Sequence, residues 1–214
     1  MEDSNKVIEY TSVKFGTTPG DARSLCKQAL INGYRAVCVN SGFVKVCYEE
    51  LKNHPGVLIV STAGFPTGAS SYRAKIYEAI CAAEEGAKEI DFMINLGLLK
   101  DRKDKELRDE IKGVVRNTAG MADVKIIVEA PLLTPEELVR VCTIAAEEKA
   151  AWIKTATGFN GDTTVDMVKG IKKIVGKQCK IKAAGGIRDI ETAKEMLKAG
   201  AASIGTSSLL KFED

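Results

Sequence analysis

The chain has 214 residues, of which 45% are hydrophobic and 28% are charged, as expected for a globular domain of ordinary composition. Its 31 basic and 29 acidic residues give a formal net charge of +2, which provides no electrostatic footprint for nucleic acid or an anionic membrane. No apolar run approaches the ~20 residues of a membrane-spanning helix, and the polar N-terminus lacks the apolar segment of a signal peptide. We therefore expect a cytoplasmic protein that binds neither nucleic acid nor membranes.

Eight short runs rich in Val, Ile and Ala follow one another along the chain, as expected for buried parallel strands. They lie at residues 6–13, 35–40, 57–63, 89–95, 124–130, 151–156, 180–184 and 202–206. Amphipathic patterns with helical spacing lie between them, at residues 21–32, 71–85, 105–118, 135–148, 163–175 and 190–199. Thr134 and Pro135, followed by Glu137, predict a capped helix start.

This alternation of strands and helices predicts a single (β/α)8 TIM barrel with parallel strands, spanning residues 1–214 as one domain. An open doubly wound sheet is the alternative, but the G-x-G-x-x-G turn that such sheets usually carry after the first strand is absent. In a barrel of this kind the reacting groups lie at the C-terminal ends of the strands. Polar side chains late in the predicted strands are therefore the candidates for chemistry.

Two lysines occupy similar positions in consecutive strands, Lys154 in the sixth and Lys182 in the seventh. Neighbouring strands lie ~4.8 Å apart, so two ammonium groups in one lumen would repel, and burial would further disfavour their charge. We expect one of them to be neutral, and a neutral amine attacks a carbonyl carbon to form a Schiff base. The alternative is a pair of lysines that only form ion pairs at the strand ends.

Asp91 lies in the middle of the apolar fourth strand, where a carboxylate is costly unless a cation or hydrogen-bond donors accompany it. Lysines in the same lumen would supply that partner. The functional interpretation is proton transfer, or the ordering of a water molecule, beside the Schiff base. The alternative is a buried ion pair that takes no part in chemistry.

Small residues follow the last two strands, with Gly185 and Gly186 after the seventh and Ser207 and Ser208 after the eighth. Barrels often bind phosphate with these two loops and a short extra helix, and glycines let backbone N–H groups approach an anion. We therefore predict a phosphate site, with a short helix opening at residues 207–210. The alternative is a pair of ordinary turns.

The six cysteines show no C-x-x-C spacing, and the single histidine, His54, lies in a predicted loop that we expect at the surface. No cluster of Cys, His and carboxylate residues has the spacing of a metal site, and no P-loop is present. We therefore expect neither a metal nor a cofactor. The predicted phosphate site instead suits a phosphorylated sugar as a small-molecule partner.

Seven motifs occur in a fixed order over residues 7–208: AVCVN, GFPTGAS, EIDFMINLG, VKIIVEAPLLT, WIKTATGF, IKAAGGIR and IGTSS. Together they closely resemble the deoxyribose-phosphate aldolases, class I aldolases built on a (β/α)8 barrel. The resemblance implies that Lys154 forms the Schiff base, that Lys182 activates it and that Asp91 belongs to the proton relay. It also implies a set of substrate-binding positions, namely Cys38, Thr157, Gly158, Gly185, Gly186, Ser207 and Ser208.

This resemblance further implies reversible cleavage of 2-deoxy-D-ribose 5-phosphate into acetaldehyde and D-glyceraldehyde 3-phosphate, in deoxyribonucleotide catabolism, by a possible homodimer. Other interpretations of the residues stay open. They are a different Schiff-base aldolase, a non-covalent sugar-phosphate isomerase, and a barrel that binds a sugar phosphate without catalysis.

Two departures from the family pattern concern the lysine network. The family's first strand usually carries D-x-T, whereas this chain has Glu9 two residues before Thr11, so a longer side chain would support the lysines. Some members also have a C-terminal tyrosine that assists proton transfer, where this sequence has Phe212, Glu213 and Asp214. Both departures predict a lower rate than that of a typical member.

Overall fold

The computed structural model describes residues 4–212, which form a closed barrel of eight parallel strands. The strands are β1 (Ile8–Ser12), β2 (Ala36–Asn40), β3 (Leu58–Ala63), β4 (Glu89–Met93), β5 (Asp123–Ile127), β6 (Trp152–Lys154), β7 (Lys180–Ala184) and β8 (Ser203–Thr206). Each strand pairs with the next one in sequence, and β1 closes the barrel by pairing with β8. The predicted (β/α)8 fold is confirmed, and residues 1–3 and 213–214 of the predicted domain lie outside the described residues.

Helices connect the strands around the outside of the barrel. They are α1 (Pro19–Ile31), α2 (Val44–Leu51), α3 (Tyr72–Glu84), α4 (Leu96–Lys100), α5 (Asp104–Asn117), α6 (Pro135–Glu147), α7 (Val165–Val175) and α8 (Ile190–Lys198). Short 3-10 helices occupy Ser4–Val7, Ser41–Phe43 and Ala130–Leu132. The six predicted helices end within two residues of the observed bounds, whereas α2 and α4, with eight and five residues, are too short to show a clear helical period.

Local sequence signals set the starts of two long helices. Thr18 and Asp21 form a reciprocal capping box at α1, and Thr134 and Glu137 form another at α6, each with a proline in the first turn. The predicted cap at Thr134 is therefore confirmed.

The apolar core lies between the strands and the surrounding helices, and the barrel lumen is different in character. A small apolar cluster of Ala36, Cys38 and Val60, with Leu58 against it, forms one wall of the lumen. Charged side chains with almost no exposed surface lie in the same lumen, including Glu9, Asp91, Lys125 and Lys182. The barrel therefore encloses a polar network that needs internal partners for every charge.

The segment after β8 does not form the predicted helix within the described residues. Residues 209–212 alternate between exposed and buried, which is the period of an extended chain and not of a helix. The Tyr34 hydroxyl donates to the Leu210 carbonyl oxygen at 2.7 Å, and the Phe212 N–H donates to Asn5 Oδ1 at 3.0 Å. These contacts hold the segment against the barrel, so the prediction of a helix opening at residues 207–210 is wrong.

The turn between β3 and α3 is fixed by a buried ion pair. Lys75 Nζ lies 2.8 Å from Glu110 Oε1 and donates to the carbonyl oxygens of Gly68 and Met93, both at 2.8 Å. Both charged side chains are almost fully buried, and Glu110 Oε2 also accepts the Asn95 N–H at 2.9 Å. This pair anchors the 64–68 turn against the end of β4 at the C-terminal face of the barrel.

We expect Glu110→Ala to lower the free energy of unfolding by about 3–5 kcal/mol, because it leaves the Lys75 ammonium buried without its carboxylate. Urea denaturation measures the change. The double variant Lys75→Met/Glu110→Leu should recover much of the loss, since it removes both charges together. A single variant as stable as the wild type would contradict the assigned role of the pair.

Candidate active site

Two lysines and one aspartate meet in the barrel lumen. Lys154 on β6 and Lys182 on β7 are register partners, so both side chains point the same way from adjacent strands. Lys154 Nζ donates to Asp91 Oδ2 at 2.9 Å, and Lys182 Nζ donates to the same oxygen at 2.7 Å. All three side chains are buried, so the structure brings the predicted reacting groups together on one carboxylate oxygen.

The protonation of Asp91 and Lys182 follows from these contacts. Burial opposes the charge of Asp91, but Lys154 and Lys182 outweigh burial and hold the pKa of that carboxyl well below its usual range. Burial likewise opposes the charge of Lys182, but Asp91 and Glu9 outweigh it and raise the pKa of Lys182 well above its usual value. Asp91 is therefore ionised, and Lys182 carries its proton at neutral pH.

Glu9 forms the next layer of the network. Its carboxylate lies 2.5 Å from Lys182 Nζ, accepts two hydrogen bonds of 2.8 Å from Lys125 Nζ, and accepts one of 2.8 Å from Ser203 Oγ. Thr11 Oγ1 donates to the Glu9 carbonyl oxygen at 3.0 Å. The longer side chain at position 9 therefore contacts the lysine network directly, at a hydrogen-bonding distance.

The sequence did not identify three charged residues of the lumen as members of the site: Arg35, Glu89 and Lys125. Arg35 Nη1 donates to Glu9 at 2.9 Å and to Glu89 at 2.8 Å, and Lys125 Nζ lies 2.5 Å from Glu89 Oε2. Arg35 precedes β2, Glu89 opens β4 and Lys125 lies in the middle of β5, whereas the sequence analysis expected chemistry at the C-terminal ends of the strands. Lys125 showed a usable signal, because it is a lysine inside the apolar run VKIIV.

Cys38 lies beneath the site and not on its open surface. Its Sγ is 3.5 Å from Asp91 Oδ2, and its side chain is fully buried. Burial raises the pKa of this thiol to about 11, so it remains a neutral donor beside the carboxylate.

A cavity of about 250 Å³ opens above Lys154 at the C-terminal face of the barrel. Its lining contains the predicted residues Lys154, Thr157, Gly158, Gly185, Gly186 and Ser207, together with Thr11. Ser208 is not among the lining residues, and its N–H donates to Thr206 Oγ1 at 3.0 Å. Asp91 and Lys182 do not line the cavity, and they lie beneath Lys154 in the barrel lumen.

One end of this cavity has the features of an anion site. Gly185 and Gly186 have φ values of +102° and +77°, which favour glycine, and a Cβ on Gly186 would lie 2.2 Å from Asp162 Cγ. Within residues 4–212, their N–H groups donate to no protein acceptor. Lys14 and Arg188, both exposed cations, line the same cavity and were not assigned a role from the sequence. Arg188 follows the glycine pair by two residues, a position that could have identified it.

A strained glutamate supports the cavity wall. Glu129 is fully buried and has a φ of +53°, unusual for a residue with a side chain. Its carboxylate oxygens accept the Thr157 N–H at 3.1 and 3.3 Å. Glu129 therefore fixes the loop that follows Lys154 and keeps Thr157 and Gly158 at the cavity edge.

Aromatic rings cover the other side of Lys154. The Phe65 ring centroid lies 5.4 Å from Lys154 Nζ, within the range of a cation–π contact. Phe65 packs edge-on against Phe159, and Phe159 packs in the same way against Phe15. The GFPTG turn after β3 thus places an apolar wall beside the amine and limits its contact with water.

The single histidine is not among the residues that line this cavity. His54 is exposed in the loop after α2, as expected. Among residues 4–212, no three His, Cys, Asp or Glu side chains converge in a group that could hold a metal ion. Within the same range, no helix combines the length and the apolar character that crossing a bilayer requires.

The buried contacts of Glu9 predict an acid-sensitive fold. Burial opposes its charge, but Lys125 and Lys182 outweigh burial and lower the pKa of Glu9 to about 2. Because this lies below the value of 4.5 for a free glutamate, Glu9 stabilises the fold fully above about pH 4.5 and loses that contribution as the pH falls toward 2. We expect the urea midpoint to fall between about pH 5 and about pH 3.

The matched variant for this prediction is Glu9→Gln. It should be less stable than the wild type at neutral pH, because Lys125 and Lys182 lose a carboxylate, and its midpoint should fall less over the same acidic window. Equal losses in the two proteins would show that other carboxyl groups cause the acid sensitivity.

Known proteins are similar to this chain in both sequence and architecture. Residues 10–212 match the model of the DeoC/LacD family aldolases. A deoxyribose-phosphate aldolase from Natranaerobius thermophilus is 44% identical over 99% of this chain and 96% of its own length. The solved structure of QR15, an aldolase, superposes with a TM-score of 0.92 at 37% identity, covering 98% of this chain and 93% of that one. A tetrameric deoxyribose phosphate aldolase from Aeropyrum pernix gives a TM-score of 0.89 at 28% identity over 96% and 87% of the two chains. The chain belongs to the DeoC/LacD aldolase family.

Proposed function

We propose that the protein is a class I aldolase that reversibly cleaves 2-deoxy-D-ribose 5-phosphate into acetaldehyde and D-glyceraldehyde 3-phosphate through a Schiff base on Lys154. The observation that carries this proposal is the shared oxygen Asp91 Oδ2, which holds two lysine amines under one open cavity. Of the two amines, only that of Lys154 lines the cavity, so it is the nucleophile that a substrate carbonyl can reach. Family membership and the deoxyribose-phosphate aldolase relative support the choice of substrate.

The ion pairs of the lumen also distinguish Lys154 from the other two lysines. Lys125 contacts Glu9, Glu89 and Asp91, and Lys182 contacts Glu9 and Asp91. Lys154 has Asp91 as its one carboxylate partner and shares it with Lys182. An amine must leave its ion pair to attack a carbonyl carbon, and Lys154 has the fewest such contacts to break.

In the direction of synthesis, the Lys154 amine attacks the carbonyl carbon of acetaldehyde, and the carbinolamine loses water to give an iminium ion. The iminium withdraws electrons, so its methyl group gives one proton to a water molecule ordered by Asp91 and Lys182, and an enamine forms. The enamine carbon then attacks the aldehyde carbon of glyceraldehyde 3-phosphate, whose oxygen takes up a proton. Hydrolysis of the new iminium restores Lys154 and releases the sugar phosphate.

The anion end of the cavity accounts for the phosphate. Gly185 and Gly186 offer backbone N–H groups that have no protein acceptor among the described residues, Ser207 offers a hydroxyl, and Arg188 supplies positive charge. A protein with a net charge of only +2 can therefore bind a phosphorylated sugar through local groups. The reaction would place the enzyme in the breakdown of deoxyribonucleotide sugars.

Trapping tests the Schiff base directly. We expect acetaldehyde with borohydride to add one ethyl group to Lys154, identified by peptide mass spectrometry, and Lys154→Arg to abolish both the adduct and cleavage activity. Lys182→Met should keep Lys154 as the only site of trapping but reduce turnover by roughly 100-fold or more, because it removes a group of the proton relay. A wild-type protein without an adduct on Lys154, or with activity equal to that of Lys154→Arg, would rule the proposal out.

The phosphate assignment predicts a selective effect of Arg188. We expect Arg188→Leu to raise the KM for 2-deoxyribose 5-phosphate about 10- to 100-fold, the worth of one charge-assisted hydrogen bond, with little change in kcat. The matched measurement uses unphosphorylated 2-deoxyribose, for which wild type and variant should have similar kcat/KM values. Equal losses with both sugars would assign Arg188 a structural role.

A further inference from the structure

A carboxylate lies against the glycine pair at the anion end of the cavity. A Cβ built on Gly186 would lie 2.2 Å from both Cγ and Oδ1 of Asp162, so the Asp162 side chain occupies the space beside the Gly186 α-carbon. Asp162 is exposed to solvent and belongs to the segment between β6 and α7. An acidic side chain therefore borders the backbone N–H groups that the proposed function assigns to the phosphate.

Hydrogen bonds of the next residue hold Asp162 in this place. The Thr163 N–H donates to the Gly185 carbonyl oxygen at 3.0 Å, and the Thr163 hydroxyl donates to the Ala184 carbonyl oxygen at 2.5 Å. Thr163 is buried, and its Oγ1 also lies 2.8 Å from Thr155 Oγ1. The segment is therefore anchored to the end of β7, and this anchoring fixes where Asp162 lies.

Other carboxylates near this end of the cavity are bound by donors, whereas Asp162 is not. Glu129 accepts the Thr157 N–H at 3.1 and 3.3 Å, and Asp189 accepts the N–H and the hydroxyl of Thr192, each at 2.8 Å, as the cap of α8. Within residues 4–212, the Asp162 carboxylate forms no ion pair and accepts no hydrogen bond. Its charge is therefore available to act on a ligand in the cavity.

We propose that Asp162 is a specificity-determining residue, whose negative charge limits the affinity of the cavity for phosphate. The cations that line the cavity, Lys14, Lys154 and Arg188, attract a phosphate, and a carboxylate beside the glycine pair repels it. The inference rests on the proposed sugar-phosphate function, and it adds a residue that sets how tightly the phosphate is held.

A weakened phosphate site suits a reaction in which the phosphate takes no part. The phosphate group is the same in the sugar phosphate and in the product glyceraldehyde 3-phosphate, so its binding energy is uniform along the reaction. Uniform binding lowers KM without raising kcat, and a tightly held product leaves slowly. A carboxylate beside the glycine pair reduces this uniform binding and leaves the contacts of Lys154 unchanged.

The test is the affinity for inorganic phosphate of the wild type and of Asp162→Asn, measured by isothermal titration calorimetry. The amide keeps the shape of the carboxylate and removes its charge. We expect Asp162→Asn to bind phosphate about 3- to 10-fold more tightly at low ionic strength, which is the effect of one solvent-exposed charge at short range. The difference should shrink in about 0.5 M salt, because salt screens exposed charges.

Cleavage kinetics give a second measurement. The KM for 2-deoxyribose 5-phosphate should also fall about 3- to 10-fold in Asp162→Asn without a rise in kcat. The kcat/KM for unphosphorylated 2-deoxyribose should equal that of the wild type. A role in hydrogen bonding to a sugar hydroxyl predicts the opposite result, namely a loss of kcat/KM with both sugars.

Two variants serve as controls. Asp162→Glu keeps the charge and should keep the phosphate affinity close to that of the wild type. Asp166→Asn makes the same change in net charge as Asp162→Asn, at a carboxylate in the first turn of α7 that is 93% exposed, lies 3.7 Å from Lys169 and does not line the cavity. Its phosphate affinity should stay near that of the wild type.

The outcomes separate this inference from the proposed function. A wild-type protein that forms no adduct on Lys154 contradicts the proposed aldolase, while the phosphate titration still decides the role of Asp162. An affinity that is unchanged or weaker in Asp162→Asn, a gain no larger than that of Asp166→Asn, or no phosphate binding in either protein overturns the inference. If Asp162→Asn does not fold, Asp162→Ser takes its place, because it also removes the charge and keeps a short polar side chain.

Discussion

One carboxylate oxygen, Asp91 Oδ2, lies within hydrogen-bonding distance of both lysine amines, and the candidate site depends on this contact. Two buried ammonium groups on adjacent strands would repel each other strongly, and a shared carboxylate allows them to remain close. The same contact opposes catalysis, because a carboxylate stabilises the charged form of each amine. Catalysis therefore requires Lys154 to leave this contact, whereas Lys182 has a second carboxylate partner in Glu9.

Glu9 connects the two ends of the barrel. The resembling family usually has an aspartate in this position, and the shorter side chain has less reach. In this chain the glutamate contacts Lys182 toward the cavity and Lys125 and Arg35 toward the base, with Ser203 as a further donor. The additional methylene is thus accompanied by a full set of partners, and the carboxylate remains ionised in a fully buried position.

The parts predictable from sequence were those governed by simple periodic rules. Continuous apolar runs and helical spacing identified the strands, and the parallel barrel then placed Lys154, Lys182 and Asp91 on one face. Arg35 and Glu89 could not be assigned because their partners come from strands far apart in sequence, and only the closed barrel brings them together. The left-handed conformation of Glu129 and the extended course of residues 209–212 depend on tertiary contacts that no local pattern encodes.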